Sequence, residues 1–313
     1  RANAIMIASG TKRSPRIATL TGLLAGLLLA ATAAAAAAAD QTAAPATTQT
    51  PIDPVPDALT FRPTVVIRHP TGQGSGTVIA SIPGEALVLT AAHVTEGGGA
   101  GIVVDFHRYN LGVERTAGPE AWPVSIPAEL VAFDTSADVA VLRLKGKRVL
   151  PFVARLARPG DEPASGAVVT SVGIDGGEQL RSWMTRVSET AWMSMSNPEA
   201  SAPRSTSRSE IRGRTRSSSE ATQPSRALLQ ARFDRDVRPF LLTERAPVPG
   251  RSGGGLFDAQ GALVGLCVGR IEGGHDRGLG LFASGESVRT LLREHGLDAT
   301  VARSERLHGA TSR

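Results

Sequence analysis

The chain is divided into many short runs of β-branched and other apolar residues, which are separated by glycine and proline. Examples are Ala86-Leu-Val-Leu-Thr, Val139-Ala-Val-Leu-Arg-Leu and Gly261-Ala-Leu-Val-Gly-Leu. Such runs, with no segments of helical periodicity between most of them, are typical of strands in an antiparallel barrel or sandwich. The sequence therefore predicts an all-β fold in two units, about residues 61–160 and 161–284.

Three segments depart from this strand pattern. Residues 285–295 predict a short amphipathic helix that ends at Gly296, and residues 298–313 are expected to form a tail. Residues 194–225 are rich in Ser, Arg, Pro and Glu, and they predict a disordered insertion in the second unit because they have almost no apolar residue to bury.

The first 39 residues have the order of a secretory signal. Lys12, Arg13 and Arg16 precede an apolar run that begins at Leu20, and an alanine tract then continues to Ala39. This order predicts export to the periplasm or the extracellular space. The same stretch is long enough to span a bilayer, so an uncleaved N-terminal membrane anchor is the alternative. Residues 40–60, rich in Ala, Thr, Gln and Pro, predict a linker.

Charge and cysteine content exclude several classes of function. The chain has 34 Lys and Arg against 29 Asp and Glu, but four of these basic residues lie in the first 39 positions, which leaves 30 against 29. A nucleic-acid partner is therefore not expected from charge. The single cysteine, Cys267, excludes an internal disulfide and a zinc site built from cysteines. No HExxH, Walker A or dinucleotide motif occurs, so no metal or cofactor is expected.

Three short segments carry candidate chemistry. His93 follows a predicted strand, Asp138 precedes another, and Ser252 lies in the glycine-rich run Pro249-Gly-Arg-Ser-Gly-Gly-Gly. Taken singly, they are also consistent with a surface histidine, a turn aspartate and a glycine-rich hairpin. Together, the order His, Asp, Ser matches the chymotrypsin-type arrangement of a catalytic triad and differs from the order in subtilisin or the α/β-hydrolases.

On these residues the sequence resembles the trypsin/chymotrypsin-like serine peptidases, and among them the bacterial HtrA (Deg) group, over about residues 61–297. The segments that carry the resemblance are Gly74-Ser-Gly-Thr-Val-Ile, Leu89-Thr-Ala-Ala-His-Val, Asp138-Val-Ala-Val-Leu-Arg, Val172-Gly-Ile and Pro249-Gly-Arg-Ser-Gly-Gly. The resemblance implies a chymotrypsin-like double β-barrel with the active site between the barrels. It also implies an endopeptidase whose partners are protein or peptide substrates.

The resemblance assigns a role to each matching residue. Ser252 would be the nucleophile, His93 the general base and then acid, and Asp138 the residue that orients His93. The backbone N–H groups of Gly250 and Ser252 would form the oxyanion hole. Residues near the pocket for the side chain before the scissile bond would be Ala246, Val268, Gly269 and Arg270. A small or apolar preference is expected because none of these is acidic.

The chain departs from the family pattern at several points. Arg251 stands where Asn or Asp is usual, and a cation beside the nucleophile would alter the oxyanion hole or attract acidic substrates. Gly255 replaces a common proline, and no PDZ module is expected after the helix. Cys267 is expected to be a buried core thiol. An exported serine endopeptidase is thus the first interpretation, and a catalytically inactive protease-like binding or scaffold module is the alternative.

Overall fold

The computed structural model describes residues 5–6, 57–96, 101–113, 122–176, 179–195 and 236–311. These residues belong to a compact unit formed by Arg1–Gly10 and Pro54–Arg313, and a second unit, Thr11–Asp53, lies outside the described ranges. Most of the predicted signal, all but residues 5–6, lies outside the described ranges, as do most of the linker and most of the Ser/Arg-rich insertion. Among the helices in the described ranges, none is long and apolar enough to span a bilayer.

The first barrel is a closed ring of six antiparallel strands. After the two-residue strand β1 (Ile5–Met6), these strands are β2 (Thr64–His69), β3 (Gly72–Ile82), β4 (Gly84–Ala91), β5 (Val103–Phe106), β6 (Val124–Asp134) and β7 (Val139–Gly146). They pair in the order β2-β3-β4-β7-β6-β5, and β5 pairs with β2 to close the ring. Buried side chains such as Val65, Val88 and Phe106 fill its interior, and their burial is the main force that holds such a ring together.

The second barrel is built from the later strands. These are β8 (Arg155–Leu156), β9 (Val168–Asp175), β10 (Gln179–Met193), β11 (Arg238–Thr243), β12 (Gly255–Phe257), β13 (Ala262–Ile271) and β14 (Gly280–Ser284). Pairing of β13 with β14 joins the two ends of the path β13-β12-β9-β10-β11-β14 and so closes a second six-stranded ring. The short strands β1 and β8 also pair with β13. The predicted all-β double barrel is confirmed.

One apolar cluster connects the barrels. It contains Ile79 and Leu89 from the first barrel together with Val172 and Leu266 from the second, all nearly or completely buried. Strand β8 already pairs with the second barrel, so the junction lies before residue 155. The sequence places the boundary at about residue 160, a few residues after β8, and a two-residue strand gives no periodic signal that would locate it more closely.

The helices are short except at the C-terminal end. They are α1 (Asp57–Thr60), a 3-10 helix (Ala92–Thr95), α2 (Arg108–Leu111), α3 (Gly285–Glu294) and α4 (Asp298–Thr311). Helix α3 is the predicted C-terminal helix, and its N-cap Ser284 accepts a hydrogen bond from Ser287 N–H at 3.3 Å. It buries Val288, Leu291 and Leu292.

Two segments predicted to lie outside the folded domain are part of it. Residues 298–311 form α4 rather than a tail, and the buried hydroxyl of Ser304 accepts a hydrogen bond from Ser81 N–H of the first barrel at 2.8 Å. His308 Nε2 also lies 3.0 Å from the carbonyl oxygen of Leu150. The predicted linker extends too far as well, because α1 occupies its last four residues and buries Thr60. Polar anchors of this kind leave no hydrophobic pattern in the sequence.

The structure also describes the start of the predicted insertion. Ser194 is completely buried, and Met195 N–H donates to the carbonyl oxygen of Ser136 at 3.0 Å. These two residues therefore belong to the packed domain. The rest of the insertion lies outside the described residues.

Candidate active site

His93 is held at the end of strand β4 by a tight turn. Buried residues lead along β4 to Ala91, and the 3-10 helix begins directly afterwards. The hydroxyl of Thr95 donates to the carbonyl oxygen of Ala92 at 2.7 Å and fixes this turn. The side chain of His93 is 13% exposed, so the ring is mostly shielded but reachable from solvent.

Asp138 contacts His93 at two points. Its Oδ1 accepts a hydrogen bond from the backbone N–H of His93 at 2.9 Å, and its Oδ2 lies 2.6 Å from Nδ1 of the ring. An ionised carboxylate only accepts hydrogen bonds, so a neutral imidazole in this contact carries its proton on Nδ1 and has Nε2 as its acceptor. The carboxylate side chain is 5% exposed. Asp138 also has a φ of 55°, a left-handed conformation that is uncommon for residues other than glycine.

The rival carboxylate, Asp134, has other partners. Its Oδ2 lies 2.8 Å from Nε of Arg238, and its Oδ1 accepts from the N–H groups of Ser136 and Ala137. The structure therefore brings Asp138, and not Asp134, to His93.

Ser252 lies in a turn packed closely against the strands that lead to His93. A Cβ at Gly74 would lie 2.8 Å from the side chain of Val94 and 3.0 Å from the carbonyl oxygen of Ser252. Gly253, with a φ of 85°, leaves no room for a side chain, because a Cβ there would lie 2.1 Å from the carbonyl oxygen of Ser75. These two glycines permit the close approach of two turns: residues 249–254, here called the serine turn, and Ala92–Thr95, here called the histidine turn.

The hydroxyl of Ser252 is turned toward the main chain of β13. It donates to the carbonyl oxygen of Val268 at 3.1 Å. Within the described part of the chain, no hydrogen bond joins Ser252 to His93. The structure thus brings His93 and Asp138 into direct contact. The hydroxyl of Ser252 is directed toward Val268 and not toward His93.

The carbonyl oxygens of residues 249–252 are all bound to the interior. Their donors are, in order, Gly176 N–H at 2.9 Å, the Ser75 hydroxyl at 2.9 Å, Gly254 N–H at 2.8 Å and Ser75 N–H at 2.8 Å. In a trans peptide the N–H points opposite to the C=O. The N–H groups of Gly250 and Ser252 therefore point away from these donors, and within the described residues neither has an acceptor. Two converging donors of this type are what an oxyanion hole requires.

Arg251 does not face the cleft. Its side chain is completely buried, where Nε donates to Oδ1 of Asp175 at 2.8 Å and Nη1 donates to the carbonyl oxygen of Ser171 at 3.1 Å. Burial lowers the pKa of this guanidinium, and the Asp175 carboxylate acts in the opposite direction. The expectation that Arg251 attracts acidic substrates is therefore wrong, because its positive charge is buried and paired with the carboxylate of Asp175.

A shallow pocket lies beside Ser252. Its lining residues are Pro247, Val248, Pro249, Ser252, Gly269 and Arg270. Two of the four sequence-predicted pocket residues, Gly269 and Arg270, line it. Ala246 does not, and Val268 is buried and meets Ser252 only through its carbonyl oxygen. No carboxylate is present in this lining.

Cys267 is a buried thiol in strand β13. It is completely shielded, and burial raises the pKa of the thiol. Its backbone N–H and carbonyl oxygen bond to Gly254 and Gly253 at 2.8 Å each and so fix the serine turn to β13. In the ranges that the structure describes, no group of three His, Cys, Asp or Glu residues is placed to hold a metal.

Sequence reasoning missed two residues that hold this site. Ser75 bonds to residues 250 and 252 of the serine turn, and Asp175 pairs with Arg251. A signal for Ser75 existed, since a serine between two glycines can approach a neighbouring backbone closely. Asp175 ends a strand before two glycines, a common turn pattern that gives no indication of its partner.

Comparison with known proteins identifies the family of this chain. The trypsin-like peptidase domain family matches residues 74–266, and no curated protein matches the chain in sequence. Among solved structures, the chain is similar to the inactive form of a serine-to-alanine mutant of Rv3671c from M. tuberculosis H37Rv, with 24% identity over 77% of this chain and 89% of that one, and a TM-score of 0.49. The HtrA-type protease AlgW, solved with a decapeptide, is 20% identical over 77% and 67% of the two chains, with a TM-score of 0.47. The serine endoprotease from Yersinia pestis is 18% identical over 76% of this chain and 64% of that one, with a TM-score of 0.48.

The family match covers more than half of the chain. The chain therefore belongs to the trypsin-like peptidase domain family, the class of serine endopeptidases that its motifs resemble.

Proposed function

We propose that this protein is an exported serine endopeptidase that hydrolyses peptide bonds through a Ser252–His93–Asp138 triad and an acyl-enzyme. The observation that carries the proposal is the double contact of Asp138 with His93, at 2.9 Å to the backbone N–H and 2.6 Å to Nδ1. It leaves Nε2 of His93 free to accept a proton beside a serine whose turn presents two unpaired N–H groups. An activated nucleophile, its base and an oxyanion site are the parts that acyl transfer needs.

The reaction begins with rotation of the Ser252 hydroxyl away from Val268. Oγ attacks the carbonyl carbon of the scissile peptide while Nε2 of His93 takes the hydroxyl proton. The negative oxygen of the tetrahedral intermediate accepts hydrogen bonds from the N–H groups of Gly250 and Ser252. The intermediate collapses when the C–N bond breaks and His93 gives its proton to the leaving amine, which leaves an ester on Ser252.

The second half of the reaction repeats these steps with water as the nucleophile. His93 takes a proton from water, and the hydroxide attacks the ester carbonyl. The C–O bond to Ser252 then breaks, and Oγ recovers its proton from His93. Asp138 stays ionised throughout and stabilises the imidazolium that forms twice per cycle.

Rotation of Ser252 is energetically accessible. The bond to Val268 is a single neutral hydrogen bond, worth about 0.5–1.5 kcal/mol net. A loss of this size lowers a rate by roughly tenfold at most. Formation of a hydrogen bond from Ser252 to His93 offsets part of it.

Export is proposed on the basis of the N-terminal sequence. Three basic residues before an apolar run and a small-residue tract are the parts of a secretory signal. The protein would act in the periplasm or outside the cell on protein or peptide substrates. The pocket beside Ser252, which is lined mainly by proline, valine and glycine, favours a small or apolar side chain before the scissile bond.

The test is acylation of the purified protein with a fluorophosphonate probe at pH 7–9, alongside the Ser252→Ala variant. The adduct is mapped by mass spectrometry. We expect one adduct on Ser252 that is absent from the variant. An unmodified Ser252 in protein shown to be folded contradicts the proposal.

The second candidate function is a catalytically inactive binding or scaffold module of the cell envelope. The hydrogen bond of Ser252 to Val268, instead of to His93, is the observation that favours it. The same probe separates the two candidates, because a serine held by Val268 and never activated is not acylated.

A further inference from the structure

A buried cation lies between the two proposed oxyanion donors. Arg251 separates Gly250 from Ser252 along the chain, and its side chain is completely shielded from solvent. It passes Gly173, where a Cβ would lie 2.7 Å from Cγ of Arg251. The guanidinium then lies 4.8 Å from the ring centre of Trp183 on strand β10. The second barrel thus has a shaped space for this arginine.

Asp175 supplies the counter-charge. Its Oδ1 accepts from Nε of Arg251 at 2.8 Å and lies 2.6 Å from Nη2. The Nη2 contact lacks the alignment of a hydrogen bond, so it is an electrostatic contact. The carbonyl oxygen of Ser171 and the face of Trp183 also lie against the guanidinium. A buried guanidinium without its carboxylate is strongly unfavourable, so the position of Arg251 depends on Asp175.

The same strand end also binds the main chain before Arg251. Gly176, next to Asp175, donates its N–H to the carbonyl oxygen of Pro249 at 2.9 Å. Because a peptide group is planar, this bond sets the direction of the N–H of Gly250. The end of β9 therefore holds the serine turn at residue 249 through the backbone and at residue 251 through a charge pair.

We infer that Asp175 is a positioning residue for catalysis, which acts through Arg251 to fix the peptide groups that present the N–H donors of Gly250 and Ser252. It touches neither substrate nor triad. The inference deepens the proposed function and rests on it for its kinetic measurement. Hydrogen exchange in the serine turn is a second measurement, and it does not depend on catalysis.

The test uses Asp175→Ala in the full chain. We expect kcat for peptide hydrolysis to fall by about 10²–10³, the effect of one lost oxyanion donor, while KM stays within about threefold because ground-state binding is retained. Hydrogen exchange at the amides of residues 249–254 should become faster than in the wild type. Glu85→Ala is the matched control, because it breaks the Glu85–Arg143 pair of the first barrel, which is 2.7 Å long and also partly buried. It should leave kcat and the exchange of residues 249–254 unchanged.

Asp175→Asn is the second variant, which keeps an acceptor oxygen and removes only the charge. If the alanine variant does not fold, Asp175→Asn should still lower kcat by about tenfold or more and speed exchange in the serine turn. Unchanged exchange at residues 249–254, or exchange that rises equally throughout both barrels, overturns the inference. If the wild-type protein is not acylated, the proposed function fails, and the exchange measurement alone decides whether Asp175 orders the serine turn.

Discussion

Replacement of Ser75 by alanine tests how the serine turn is held. Ser75 is completely buried in strand β3. Its hydroxyl donates to the carbonyl oxygen of Gly250 at 2.9 Å and accepts from the N–H of Ile174 at 2.8 Å. Ser75→Ala therefore removes one hydrogen bond to strand β9 of the second barrel and one hydrogen bond to the serine turn. The backbone hydrogen bond from Ser75 N–H to the carbonyl oxygen of Ser252 remains.

The two lost bonds have different costs. The N–H of Ile174 is buried and keeps no acceptor, which costs about 1–3 kcal/mol. The carbonyl of Gly250 is partly exposed and can bind water, so its loss is closer to about 0.5–1.5 kcal/mol. The free energy of unfolding should fall by roughly 2–4 kcal/mol, which for a domain of this size lowers Tm by about 5–15 °C. The Gly250–Arg251 peptide, which joins the two peptides that carry the proposed oxyanion donors, loses a restraint, so kcat should fall as well, by no more than the ~10²–10³ of one oxyanion donor.

Thermal unfolding and peptide hydrolysis measure these two effects. Ser165→Ala is the control, since its hydroxyl also donates to a backbone carbonyl, that of Ser188, but at an exposed position where water replaces it. The control should shift the free energy of unfolding by less than about 0.5 kcal/mol. A Ser75→Ala protein with the Tm and kcat of this control would refute the reasoning.

Three further predictions concern single side chains. Asp138→Asn should lower kcat by about 10⁴, because the amide N–H₂ would face Nδ1 and the ring proton would move to Nε2. Peptide hydrolysis measures this, and a loss below tenfold contradicts it. Cys267, whose thiol pKa is raised by burial, should resist a thiol-specific disulfide reagent at pH 8 in the folded protein and react once denatured; fast labelling of native protein contradicts this. Burial raises the pKa of Tyr109, the single tyrosine, to about 12. Its neutral form therefore supports the fold fully below pH 10, and this contribution declines from pH 10 to 12; phenolate absorbance measures the titration, and a midpoint near 10 contradicts it.

Sequence patterns determined the fold class because strands have a recognisable local pattern. Runs such as Ala86-Leu-Val-Leu-Thr alternate with glycine and proline, and this pattern is set by chain geometry within a few residues. The order of His93, Asp138 and Ser252 likewise gave the candidate triad, because residue type and chain order carry that information without coordinates. The segment 298–313 was misread as a tail, since its helix is anchored through Ser304 and His308 by polar bonds that leave no periodic pattern.

Only the tertiary structure decided what surrounds the candidate triad. Arg251 lies next to Ser252 in sequence, and its neighbours alone predict an exposed cation. The fold instead turns it into the second barrel and pairs it with Asp175, 76 positions away. Ser75 reaches Gly250 over a separation of 175 positions. The first contact depends on how the strands of the second barrel close, and the second depends on how the two barrels pack. Neither arrangement can be read from the residues adjacent in sequence.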